Sequence, residues 1–145
     1  MPYVIAFFTA ALVFGGLDFF WLGWADTNLY RPVIGEIMAD DVRLSAAGVF
    51  YLLYLSGIMW FAVRPGILAR RSLTAAFNGA LLGGLCYATF DLTNQAVMKV
   101  WATHITLADI ALGAFATAVA SGAACWLTLR LTHQGQAGRD QTQCS

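Results

Sequence analysis

Three aspartates stand inside long apolar runs of this chain: Asp18, Asp91 and Asp109. An aspartate facing hydrocarbon at mid-depth costs on the order of 2.5–3.5 kcal/mol on insertion scales. Such residues therefore turn inward, toward hydrogen-bond donors, one another or a ligand. Donors of the right kind lie in the same runs: Trp21, Tyr51, Tyr54, Tyr87, and Asn94 three residues after Asp91. Crowded carboxyl groups cannot all ionise freely, so a proton donor and an acceptor can coexist in one site. That is the minimum equipment for general acid–base work, and it also suits the polar end of a hydrophobic ligand. No residue can be assigned a catalytic role from this pattern alone.

Other chemistries lack their residues. There is no serine elbow, HExxH, glycine-rich phosphate loop or cysteine–histidine pair. Three cysteines without metal-ligand spacing make neither a disulfide framework nor a zinc site; no metal site or cofactor is assigned, and a divalent cation held by the three carboxylates stays open as an alternative. Cys86 and Cys125 read as inert buried thiols.

Composition says what must hold the aspartates. Of 145 residues, 59% are hydrophobic and only 11% charged, with a mean hydropathy of +0.67. A soluble domain carries about 25% charged residues. Eight basic residues balance eight acidic ones, so no net field attracts a polyanion and nucleic acid is not an expected partner. Four continuous apolar runs, at about 3–24, 45–63, 73–98 and 105–131, meet the roughly 20 residues that a helix needs to cross a bilayer. Unpaired backbone is not tolerated in hydrocarbon, and the runs do not alternate, so each is read as a helix. The expected fold is all-α: an integral membrane four-helix bundle over residues 1–132, followed by a disordered polar tail over 133–145. The first run contains Asp18 and has no Lys or Arg ahead of it, so it reads as a span and not as a cleaved export signal. Residues 25–44 are expected to link the first two helices, with a short interfacial helix behind Arg31-Pro32.

Depth and phase bring the polar residues together. Arg64, Arg70, Arg71, Arg130 and Arg139 fall on the side of the termini, against Arg31, Arg43 and Lys99 on the other. That bias puts both termini in the cytoplasm. Asp18 then lies roughly 9 Å inside the outer boundary, at 1.5 Å per residue. Asp91, Asp109, Tyr51 and Tyr54 fall in the same layer. On the third helix Ala75, Gly79, Gly83, Tyr87, Asp91 and Gln95 form a row at spacing four. On the fourth, Asp109, Gly113, Thr117, Ser121 and Cys125 form another. Rows of small residues let membrane helices approach closely. Ala11 and Gly15 are expected to share a face with Asp18, which takes Asp18 into the bundle. Asp91 is expected to be the centre of the site, with Asp18 as its nearest acidic neighbour.

Each residue also has a structural reading. Asp109 follows Thr106 by three, the spacing of a capping box. Asp18 lies near the expected end of its helix, where the macrodipole disfavours an anion, so it needs a hydrogen-bond partner. The tyrosines suit packing with a satisfied hydroxyl. The arginines of 64–71 are topology determinants first.

The stretch Leu17-Asp18-Phe19-Phe20-Trp21-Leu22-Gly23 with Tyr30 downstream, then Phe50-Tyr51-Leu52-Leu53-Tyr54, carries a family signature. So does Tyr87-Ala88-Thr89-Phe90-Asp91-Leu92-Thr93-Asn94, followed by Trp101 and by Asp109 with Gly113. Over about residues 3–132 the chain resembles a bacterial family of four-helix inner-membrane proteins, domain-of-unknown-function family 2177. The resemblance implies a bacterial integral membrane protein with these polar residues as its signature, and no reaction. Three functions remain: binding or modifying a lipid-like hydrophobic ligand, a small transporter or channel component, and a structural membrane scaffold. Membrane lipids and a hydrophobic small molecule are the expected partners, and a homo-oligomer is compatible with the composition.

Overall fold

The computed structural model describes residues 2–39 and 41–143, with side chains described as far as Thr132. Four helical runs are long and apolar enough to cross a membrane: α1 (Pro2–Ile37), α2 (Leu44–Leu68), α3 (Ser72–Val97) and α4 (Thr103–Gln143, apolar over Thr103–Thr132). No strand occurs among the described residues. The fold is the all-α membrane bundle that the composition requires. The side chains of the polar tail expected over 133–145 lie outside the described residues.

α1 and α2 run past the apolar pattern, and each carries a proline near its extension. α1 passes from Ala25 through a π-helical turn, Asp26–Tyr30, into Arg31–Ile34 and a last tight turn, Gly35–Ile37. The separate interfacial helix expected behind Arg31-Pro32 is thus the end of α1 itself. A π turn stacks residues five apart. The Arg31 N–H accordingly donates to the Asp26 carbonyl, and Arg31 Nε donates to Asp26 Oδ2 at 2.7 Å. In α2 a π stretch, Ile58–Val63, runs up to Pro65. Proline has no N–H for the carbonyl four residues back, and the Phe61 carbonyl accepts a bond from Asn78 Nδ2 of α3 instead, at 3.3 Å.

The connection from α2 to α3 is a three-residue turn. Arg70 takes a left-handed φ of 51°. The Arg70 and Arg71 N–H groups close on the carbonyls of Ile67 and Gly66, at 3.1 and 3.0 Å. This satisfies the last carbonyls of α2 in the way a terminal glycine usually does.

The expected small-residue rows meet. Ala75, Gly79 and Gly83 of α3 and Gly113, Thr117, Ser121 and Cys125 of α4 are all buried. A methyl group built on Gly79 would lie 2.5 Å from Ser121 Oγ and 2.6 Å from the Thr117 carbonyl. Only hydrogen fits there, which is why the helices can touch. α1 packs on the neighbouring face of α4 through Ala6, Ala10 and Phe14 against Ala116, Ala120 and Ala124. Its inward row is therefore Ala6–Ala10–Phe14–Asp18, one residue out of phase with the expected Ala11 and Gly15. Gly15 meets nothing within 4 Å of a built methyl.

α2 joins the bundle by only part of its length. Tyr54, Leu55 and Ile58 are buried, but no residue from Leu44 to Leu53 is. The end of α2 nearest the 38–43 connection stands off its neighbours and leaves a gap. Phe8, Leu12, Phe19, Phe20, Phe77 and Leu85 cover the outer surface of the bundle, as expected for helices solvated by lipid.

Candidate functional site

The three aspartates meet at the end of the bundle that carries the 38–43 and 98–102 connections. Asp18 and Asp109 are each 3% exposed and Asp91 is 0% exposed. Each has a different set of partners, set by the helix that faces it.

Asp18 sits between α2 and α3. The Tyr51 hydroxyl donates to Oδ2 at 2.5 Å and the Tyr87 hydroxyl to Oδ1 at 3.2 Å. Tyr51 crosses the gap left by α2, so its hydroxyl ties that half-free helix to the bundle. Asp18 does not lie near a helix end, because α1 continues well past Trp24; the anticipated macrodipole penalty does not apply.

Asp109 is gripped by α1. Trp21 Nε1 donates to Oδ1 at 3.0 Å, and the Tyr30 hydroxyl lies 2.6 Å from both carboxylate oxygens. The capping-box reading of Asp109 fails, since α4 already begins at Thr103 and Thr106 is not its cap. Thr106 Oγ1 instead donates to Gln95 Oε1 at 2.8 Å and accepts from Trp101 Nε1 at 3.0 Å. That network pins the 98–102 connection over the site.

Tyr30 is the residue that reasoning from the aspartate layer missed. It follows the apolar run, in a segment read as a linker, and only the π turn at Asp26–Tyr30 carries it back over Asp109. The signal was Pro32: a proline suited to a first helical turn, directly after an unbroken helix, marks continuation as readily as a stop.

Asp91 differs from both. No hydroxyl, amide or cationic donor reaches either of its oxygens, and it does not line the cavity in front of Asp18 and Asp109. The acidic group that bears on it is Asp109, not Asp18 as expected from depth alone. Asn94 is half-buried and does not line the cavity between the aspartates. Tyr54 is turned away from the carboxylates. Thr117 Oγ1 donates its one proton to the Gly113 carbonyl at 2.6 Å, so the Tyr54 hydroxyl, 2.8 Å away, is the donor to Thr117.

Between these groups lies a cavity of about 440 Å³. Asp18 and Asp109 form its polar end. Phe50, Tyr54, Tyr87 and Phe90 supply aromatic walls, and Leu22, Tyr30 and Cys86 complete it. Tyr54 stacks with Phe50 at 5.3 Å and meets Tyr87 edge-on at 6.4 Å, so the walls support one another. Cys86, expected to be a buried thiol, is exposed on α3 at the cavity mouth, whereas Cys125 is buried. Larger hollows of about 780 and 810 Å³ lie at the opposite end, lined by Arg70, Arg71, Trp126 and Arg130 and by Phe8, Trp60 and Arg64 among others. No residue lining either of them is buried, so neither encloses a site. Among the described residues, no group of three His, Cys, Asp or Glu side chains is placed to hold a metal ion.

Comparison with curated proteins and with solved structures finds no match. A family profile described as "Predicted membrane protein (DUF2177)" matches residues 3–126, and with four membrane-length helices beneath that match the chain belongs to this family of unknown function.

Proposed function

We propose that this protein binds an amphiphilic, lipid-like molecule, with its polar end on Asp18 and Asp109 and its chain leaving between α2 and α3. One observation carries the reading. A single cavity joins two buried carboxylates to Phe50, Cys86 and Phe90, which are exposed where the bilayer would be. The stand-off of α2 over Leu44–Leu53 supplies the lateral opening. The tight α3–α4 seam at Gly79 and Gly83 supports a blind site over a transport pathway. A scaffold role gives no account of the cavity in front of Asp18 and Asp109. We further place the protein in the inner membrane of a bacterium with both termini cytoplasmic, on the five-to-three distribution of basic residues and the family resemblance.

The test is photolabelling with an alkyl-diazirine amphiphile in detergent micelles, followed by peptide mapping. Labels are expected on Leu22, Phe50, Cys86 and Phe90, displaced by excess unlabelled amphiphile. A Cys86→Trp variant, which fills the mouth, should lose them while keeping its melting temperature. Labels confined to Phe8, Leu12 and Phe77 would overturn the reading.

A further inference from the structure

We propose that the ligand of this cavity carries a positively charged head, an organic ammonium on an apolar body. The inference rests on the amphiphile site above and names its chemical class. Three carboxyl groups share one buried layer. The groups that donate to Asp18 and Asp109 are neutral: two tyrosine hydroxyls for one, a tyrosine and an indole for the other. No Lys, Arg or His lines the cavity. The ion pair Arg31–Asp26 lies apart from it, on the exposed end of α1. A buried carboxyl normally finds a cation or several donors, because leaving it alone in a low-dielectric setting is expensive. Asp91, at zero exposure and behind the cavity lining, receives no bond from a neutral donor or a cation; the group that faces it is the Asp109 carboxyl. Asp18 and Asp109 thus face the cavity with no cation of the protein beside them.

The walls favour the same ligand. The rings of Phe50, Tyr54, Tyr87 and Phe90 surround the space in front of Asp18 and Asp109. Aromatic faces attract cations through the ring quadrupole, most strongly when water is excluded, and ammonium groups are the usual guests of such cages. A bare metal ion fits less well. It needs several close oxygen ligands, and no three acidic side chains among the described residues are so placed. An ammonium head needs no fixed coordination shell and is satisfied by two carboxylates and ring faces. Its alkyl body leaves by the gap beside α2.

The experiment is competition for the photolabelled site in dodecyl maltoside micelles, with three probes of one chain length: dodecyltrimethylammonium, dodecanol and dodecanoate. Each is titrated by mole fraction in the micelle. Dodecyltrimethylammonium is expected to displace the label at a mole fraction at least tenfold lower than dodecanol, and dodecanoate to be the weakest. In Asp18→Asn and Asp109→Asn that preference should fall to threefold or less while dodecanol competes as before. Both substitutions keep side-chain shape and remove a buried charge, so both variants should fold, with melting temperature as the check. Equal displacement by the ammonium and the alcohol would overturn the cationic ligand and leave the amphiphile site standing. Failure of all three probes to displace the label would overturn the amphiphile site itself. A preference that survives in both variants would also overturn the inference, since it would not come from these carboxylates.

Discussion

Gly83→Ala adds one methyl group at the tightest point of the α3–α4 seam. That methyl would fall onto the Gly113 carbonyl oxygen, 2.6 Å from Thr117 Oγ1 and 2.7 Å from the Gly113 carbonyl carbon. Non-bonded heavy atoms rest at about 3.5–4.0 Å, so α3 and α4 must part by about 1 Å to admit it. A gap of that size forfeits a quarter to a half of each dispersion contact of about 0.1–0.2 kcal/mol. Over about forty such contacts, the number one buried leucine makes, the loss is about 2 kcal/mol, inside the ~1–3 kcal/mol typical of overpacking. The displaced backbone also carries Thr117, which holds the Tyr54 hydroxyl at 2.8 Å, so the cavity wall moves with the seam. The matched control is Gly15→Ala, where a methyl meets nothing within 4 Å. That change should be neutral or stabilising by up to about 1 kcal/mol, because alanine orders a helix better than glycine. The assay is reversible unfolding in mixed micelles, with photolabel binding measured on the same samples. Gly83→Ala should lose stability and weaken binding, and Gly15→Ala neither. Equal unfolding free energies for the two variants would refute the reasoning, because the seam would then tolerate a gap that its geometry forbids.

Tyr30→Phe removes the hydroxyl that lies 2.6 Å from both Asp109 oxygens. Hydrogen bonds to charged groups contribute about 1.5–3 kcal/mol, so amide hydrogen exchange over residues 26–37 should accelerate at least tenfold while the seam stays protected; unchanged exchange there would mean that the bond does not hold the end of α1. For orientation, reporter fusions at Ser72 and Gln136 should report the cytoplasm and one at Glu36 the opposite side. A periplasmic signal from Gln136 would invert the assignment and move the aspartate layer to the inner face.

Helix number, membrane setting and the common layer of the three aspartates were legible from residue types alone. Hydropathy and helical rise are local properties: 1.5 Å per residue places Asp18, Asp91 and Asp109 in one layer whatever the packing. The α3 and α4 rows were legible for the same reason, since spacing four defines a face and Gly79, Gly83 and Gly113 leave that face only one use. Which face meets which neighbour was not local. On α1 the inward row is Ala6–Ala10–Phe14–Asp18 and not Ala11–Gly15, because rotation about a helix axis is set by the opposing surface of α4. The partner of Asp91 is Asp109 for a related reason: α3 lies along α4, so the closer carboxyl comes from the packed neighbour. Tyr30 reaches Asp109 only through a π turn, whose single extra residue per turn shifts every later side chain, and apolar periodicity does not register such a shift. The cavity in front of Asp18 and Asp109 and the gap beside α2 are likewise tertiary facts. They depend on where four helices fail to touch, and no single run of residues encodes a space between runs.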